Sequence, residues 1–105
     1  MNQLARFLTA YINQGVLGEV RILEADTVRL MLTRQHATPA YQGLCWVRLQ
    51  RAGQPHWFHN GSDPGIRTNM SFRPSDGVGA IVFINRSDIE LNKFNDRLFQ
   101  EAERS

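Results

Sequence analysis

Residues 56–87 read HWFHNGSDPGIRTNMSFRPSDGVGAIVFINRS, and this stretch decides the fold. His56 to Asn60 has strand character and ends at Gly61, and Pro64-Gly65 marks a loop before residues 66–73, which alternate cleanly. Successive strand side chains point to opposite faces, so Ile66, Thr68, Met70 and Phe72 share one face and Arg67, Asn69, Ser71 and Arg73 the other. One of those faces meets a core, and the other meets water or a partner. Pro74-Ser75-Asp76-Gly77 supplies a turn, Asp-Gly being a favoured hairpin dipeptide. Val78 to Ile84, VGAIVFI, is apolar without alternation, which predicts a central strand with helices over both faces.

Upstream, Arg51-Ala52-Gly53-Gln54-Pro55 has turn composition, and YQGLCWVRLQ (41–50) is strand-like, so it forms a hairpin with the strand that starts at His56. Before it comes a polar connection through His36, Thr38 and Pro39. Leu4, Phe7, Leu8, Tyr11 and Ile12 recur at helical spacing, and Gly15 sits where a left-handed C-terminal cap is wanted. A second helix is expected from about Ala25 to Thr33, with Val28, Met31 and Leu32 on one face. Leu23 is placed to staple against Val28, and Glu24 is a mediocre cap that predicts a frayed start. Downstream, Ser87-Asp88-Ile89-Glu90 matches a capping box, and Leu91, Phe94, Leu98 and Ala102 form the apolar stripe of a last helix. The order is helix, helix, three or four antiparallel strands, helix. This is an α+β fold in which helices flank the sheet.

The 105 residues suit one domain, 1–105, since a chain of this size buries about 65% of its unfolded surface. Hydrophobic residues at 42% and charged residues at 21% are ordinary globular values and argue against disorder. The net charge is only +2 and the twelve Lys and Arg are scattered, which gives little support to a nucleic-acid partner. No apolar run approaches the ~18 residues of a membrane span, and no basic segment followed by an apolar one opens the sequence. As written, the chain is expected in the cytoplasm, with no membrane partner. The single cysteine, Cys45, cannot form an internal disulfide and is expected to be a small buried hydrophobe and not a nucleophile. His36, His56 and His59 lack zinc-ligand spacing, so neither metal nor cofactor is implied. Trp46 and Trp57, on neighbouring expected strands, are most simply a cross-strand pair or sheet-face packing.

His59-Asn60-Gly61 at the end of a strand, followed by a Pro-Gly loop and an apolar hairpin strand, resembles the C-terminal portion of the penicillin-recognising serine hydrolases. In this class C β-lactamase and esterase family, a Lys-Thr-Gly or His-x-Gly strand walls the active site. The rest of the chain falls into the same order. LARFLTAYINQGVLGEVRILEADTVRLMLTRQ is similar to the family's helix, Asn-x-Gly turn, Arg-Ile-Leu segment and short helix ending in Met-Leu-Thr. YQGLCW is similar to its Tyr-Gly-Leu-Gly-Trp strand, and GVGAIVFINRSD to the strand and Asn turn before its final helix. The resemblance covers about the C-terminal third of a complete member, whose five-stranded antiparallel sheet takes its other strands from the N-terminus.

That resemblance implies roles position by position. His59 stands where the family has Lys or His, facing the nucleophile's pocket, and would supply a positive or hydrogen-bonding group there. Asn60 takes the variable position that bonds substrate, and Gly61 lets a substrate backbone approach because it lacks a Cβ. The N–H of Ser62 corresponds to one of two oxyanion-hole donors, and the second belongs to the nucleophile itself. No Ser-x-x-Lys occurs among these residues, and no Gly-x-Ser-x-Gly elbow either, so only this remnant of an active-site wall is present. Tyr11-Ile12-Asn13 has the spacing of the family's Tyr-x-Asn element, but the helical period already explains it as core. Without the resemblance, His59 reads as a strand-end histidine bonded to a neighbouring carbonyl. Asp63 reads as a loop acid.

Two function classes follow. In one, this is the C-terminal segment of a β-lactamase-like hydrolase of β-lactams, peptides or esters, inactive alone because its nucleophile lies elsewhere, and its partner is the missing N-terminal half. In the other it is a non-catalytic interaction module. There the edge of 78–84, left without its neighbouring strand, binds a partner or a second copy, with a homodimer expected.

Overall fold

The computed structural model of the chain describes residues 2–35, 41–51 and 53–104. Among them the elements run α1 (Asn2–Ile12), β1 (Val16–Leu17), β2 (Val20–Arg21), α2 (Ala25–Met31), β3 (Tyr41–Gln42), β4 (Val47–Arg51), β5 (Gln54–Asp63), β6 (Ile66–Arg73), β7 (Val78–Ile84) and α3 (Asn92–Glu103). The strands form a two-stranded piece, β1-β2, and a five-stranded antiparallel sheet in the order β3-β4-β5-β6-β7. This is the expected α+β arrangement, with four full strands and a two-residue margin.

Tight turns make the sheet a meander. Pro64 and Gly65 alone join β5 to β6, with Asp63 opposite Ile66 and Gly65 at φ 82, the dihedral that the third residue of a type II turn requires. Asp76 builds the next turn by accepting from the Val78 N–H at 3.2 Å and from Arg73 Nε at 2.9 Å.

One face of the sheet carries the core. Trp57 and Phe72 are cross-strand partners, and Leu8 and Tyr11 of α1, Val28 of α2 and Trp46 close over them. The rings of Tyr11 and Trp46 (5.2 Å) and of Trp46 and Phe72 (5.1 Å) meet edge-on. Each such side chain contributes about 1.5–3 kcal/mol through burial. The Tyr11 hydroxyl lies 3.2 Å from Met31 Sδ, which makes this residue core, as its helical period implied. α1 comes close because β7 has no side chain beneath it at Gly79, where a Cβ would stand 2.9 Å from Leu8 Cδ2.

The opposite face, read as meeting water or a partner, is instead covered by α3. Ser71 and Arg73 are buried there together with His56, and Arg73 salt-bridges Asp76 and Glu103 beneath the ring of Phe99.

Several expectations are corrected. VGAIVFI forms the sheet's edge strand, not a central one: it lacks alternation because α1 and α3 pack on its two faces, while only β6 pairs with it. The Ser87–Glu90 capping box does not form, since α3 begins at Asn92 and the Ser87 hydroxyl instead accepts from the Gly65 N–H at 3.2 Å. The later start turns the helix, so Leu91, Asn95 and Phe99 are buried and Phe94 and Leu98 are largely exposed. The strand expected at 41–50 is broken by a turn at 43–46, in which the Gly43 N–H donates to the Trp46 carbonyl at 2.8 Å. Cys45, expected to be buried, is exposed at φ 70 in that turn. Of the two readings of Trp46 and Trp57, sheet-face packing holds, since both are buried in one core cluster, whereas the ladder partners of Trp57 are Arg48 and Phe72. Helix α1 ends as expected in a left-handed cap, where both Gln14 (φ 59) and Gly15 (φ 99) have positive φ and the Gly15 N–H reaches the Ala10 carbonyl at 2.7 Å. The β1-β2 piece was not expected, its strands being too short for a period. α2 starts at Ala25 behind Glu24, which makes no side-chain cap. His36, Thr38, Pro39 and Ala52 lie outside the described residues.

Candidate functional site

β5 is ten residues long, whereas its neighbour β4 pairs with it only from Gln54 to Phe58. His59 to Asp63 therefore extends beyond β4 and is held by β6 alone, with His59 opposite Met70, Asn60 opposite Asn69, Gly61 opposite Thr68 and Ser62 opposite Arg67. In an antiparallel pair, alternate residues direct both backbone groups to the same side, so this overhang presents N–H and C=O groups along an open edge.

Alternation divides the four expected site residues between the faces of the sheet. His59 and Gly61 lie on the α1 side, where the imidazole is exposed, and Asn60 and Ser62 lie on the α3 side. Asn60, Gly61 and Ser62 border a cleft of about 300 Å³ with Arg67, Asn69 and Glu90; His59 is not among its lining residues. A Cβ at Gly61 would stand 2.8 Å from Thr68 Oγ1, so glycine keeps this part of the strand slim. The Thr68 hydroxyl donates to the Gly61 carbonyl at 3.4 Å.

A second cleft, of about 220 Å³, follows along the same face beside the start of α3. His56, Asn69, Ser71 and Arg51 are among the residues that line it. Sequence reading gave none of these a site role. The available signal was the polar alternation of β6 beside an apolar strand, which places polar side chains under whatever helix covers that strand. Burial holds the His56 imidazole below its usual pKa, and the Arg73 and Arg51 guanidiniums add to this. Asp76 is held below the usual carboxylate range by its hydrogen bond from Arg73. Among the described residues no group of three His, Cys, Asp or Glu side chains comes together, and no helix is long and apolar enough to cross a membrane.

No family model, curated protein or solved structure matches the chain. What the site can do chemically is set by its own groups. Among the described residues it offers an open strand edge from His59 to Asp63 and an exposed imidazole.

Proposed function

We propose that this chain is the C-terminal active-site wall of a β-lactamase-like serine hydrolase, inactive alone, whose attacking serine and its lysine belong to another stretch of polypeptide. The observation that carries this reading is the β5 overhang. A wall that binds the acyl part of a β-lactam, peptide or ester needs a strand edge without a neighbouring strand, and His59 to Asp63 has one. Along it, the Ser62 N–H supplies one oxyanion donor and the nucleophile's own N–H the other. His59 places an imidazole on the side where the resemblance puts the reacting serine.

A second observation supports the family resemblance independently. YQGLCW aligns Cys45 with the second Gly of Tyr-Gly-Leu-Gly-Trp, and Cys45 has a φ of 70, a backbone conformation suited to glycine. Mass spectrometry after incubation with a penicillin and with an activated ester tests the assignment. No acyl adduct is expected on any of the five serines, whereas a stoichiometric adduct on one of them would show that the chain carries its own nucleophile.

The alternative, an interaction module, is favoured by one specific feature. β7 is the sheet's other edge, it carries no charge or proline, and Phe83 on it is 52% exposed. Natural edges are usually blunted by charge or proline, and this one is not. Under either reading β7 takes up a further strand, from the missing N-terminal half or from a second copy.

A further inference from the structure

We infer that α3 is a detachable cover: it lifts off β5 and β6 as a unit while the core beneath α1 stays folded, and mild acid promotes the lifting. The inference does not depend on the hydrolase reading.

The two faces of the sheet are unequally satisfied. Among the described residues, five buried side-chain atoms have no hydrogen-bond partner in the protein: His56 Nε2, Arg67 Nε, Asn69 Oδ1, Ser71 Oγ and Asn95 Oδ1. All five belong to the α3 side. Alternation puts His56 on that face of β5 and Arg67, Asn69 and Ser71 on that face of β6, and Asn95 is a buried residue of α3 itself. The α1 side is closed instead by Leu8, Tyr11, Val28, Trp57 and Phe72. Atoms shut off from solvent by a docked helix are hydrated only when that helix moves away, so their desolvation cost favours opening.

Helix α3 also docks with less apolar surface than its sequence carries. Leu91, Asn95 and Phe99 are buried, whereas Phe94 and Leu98 are 47% and 41% exposed. A helix that buries an asparagine and leaves two large apolar side chains outward lacks much of the burial that holds a helix to a sheet. Its ion pairs do not offset this, because Asp96 and Glu103, which meet Arg51 and Arg73, are 58% and 49% exposed, and water screens such pairs. Opening strands no buried charge either, since Arg73 keeps its bond to Asp76 when Glu103 leaves.

Acid acts through His56. Its imidazole is buried against Phe99 of α3, with ring centroids 4.8 Å apart. The charged groups around it are Arg51 of β4, Arg73 of β6, Asp76 of the following turn, and Asp96 and Glu103 of α3. Burial, with Arg73 and Arg51, outweighs Asp76 and Asp96 and favours the neutral imidazole while α3 is docked. With α3 lifted, the ring is hydrated and takes a proton near its ordinary pKa of 6.5. Docking is therefore strongest above pH 6.5 and weakens as pH falls from there.

Hydrogen exchange of the ¹⁵N-labelled chain, followed residue by residue, tests this. The amides of residues 96–103 should share one opening, with protection factors at least about tenfold lower than those of Trp57 and Phe72. Between about pH 7.5 and about pH 5.5 the α3 values should fall several-fold, up to about tenfold, the most that one imidazole of ordinary pKa can give. His56→Gln should abolish that fall, and if this variant does not fold the wild-type comparison decides alone. Ser71→Ala, which removes an unpaired hydroxyl, should raise α3 protection several-fold. The inference is overturned if α3 exchanges only together with β5 and β6, if its protection is the same at both pH values, or if Ser71→Ala lowers it.

Discussion

His59 and Met70 face each other across β5 and β6, so an exposed imidazole stands on a strand pair whose partner side chain packs against the core of Trp57, Phe72 and Tyr11. The two residues should therefore separate chemistry from stability. His59→Ala should shift the free energy of unfolding by less than about 0.5 kcal/mol, as surface substitutions do. Met70→Ala, at a partly buried position, should cost about 1–2 kcal/mol. Urea unfolding of both variants checks this; a large loss for His59→Ala would make His59 a structural residue.

Cys45→Gly should stabilise the chain by about 0.5–1 kcal/mol, because φ 70 strains a side chain and not glycine. A raised melting temperature is the expected readout. A lowered one would show that the thiol makes packing contacts worth more than the strain.

Stability should fall on mild acidification through His56. Its folded pKa lies below the unfolded value of 6.5, so its contribution is complete above pH 6.5 and is lost as pH falls from there toward the folded pKa, where the unfolded chain binds the extra proton. Asp76 behaves differently: its pKa lies below 3.8, so its contribution is present above that pH and is lost only as pH falls through the lower folded value. A decline in the urea midpoint as pH falls below about 6.5 thus belongs to His56, and His56→Gln should flatten it. A midpoint that rose on acidification would contradict the burial of a neutral imidazole.

Self-association should occur through β7. Light scattering after size exclusion at tens of micromolar should show a dimer, the range in which unpaired strand edges associate, and Phe83→Lys should return it to monomer. A stable wild-type monomer would remove the interaction-module reading.

Much of this fold was legible in the sequence because its strongest signals are local. The alternation of 66–73, the Pro64-Gly65 and Asp76-Gly77 turns and the helical period of 4–12 each need only neighbours in sequence. Position within the sheet is not local: an apolar run such as VGAIVFI reports two covered faces but not whether both edges are paired, and here one is open. Helix α3 shows the same limit. Ser87 found a better partner in the Gly65 N–H, 22 residues away, and the shifted start buried Asn95 in place of Phe94. His59 to Ser62 were identifiable as one segment, but their division between two faces follows from β5 continuing as a strand to Asp63, where sequence reading ended it near Asn60. The polar cleft at His56 and Ser71 was hidden because it depends on α3 covering the polar side of β6.

The most direct measurement mixes this chain with the N-terminal half of a complete class C β-lactamase-like hydrolase carrying the Ser-x-x-Lys, and follows a chromogenic cephalosporin and a short-chain ester. The chain alone should give no turnover, the mixture should give turnover, and His59→Ala should reduce it by about 10²-fold while leaving the fold intact. Turnover by the chain alone that survives replacement of every serine would contradict the assignment of these residues as a wall without a nucleophile.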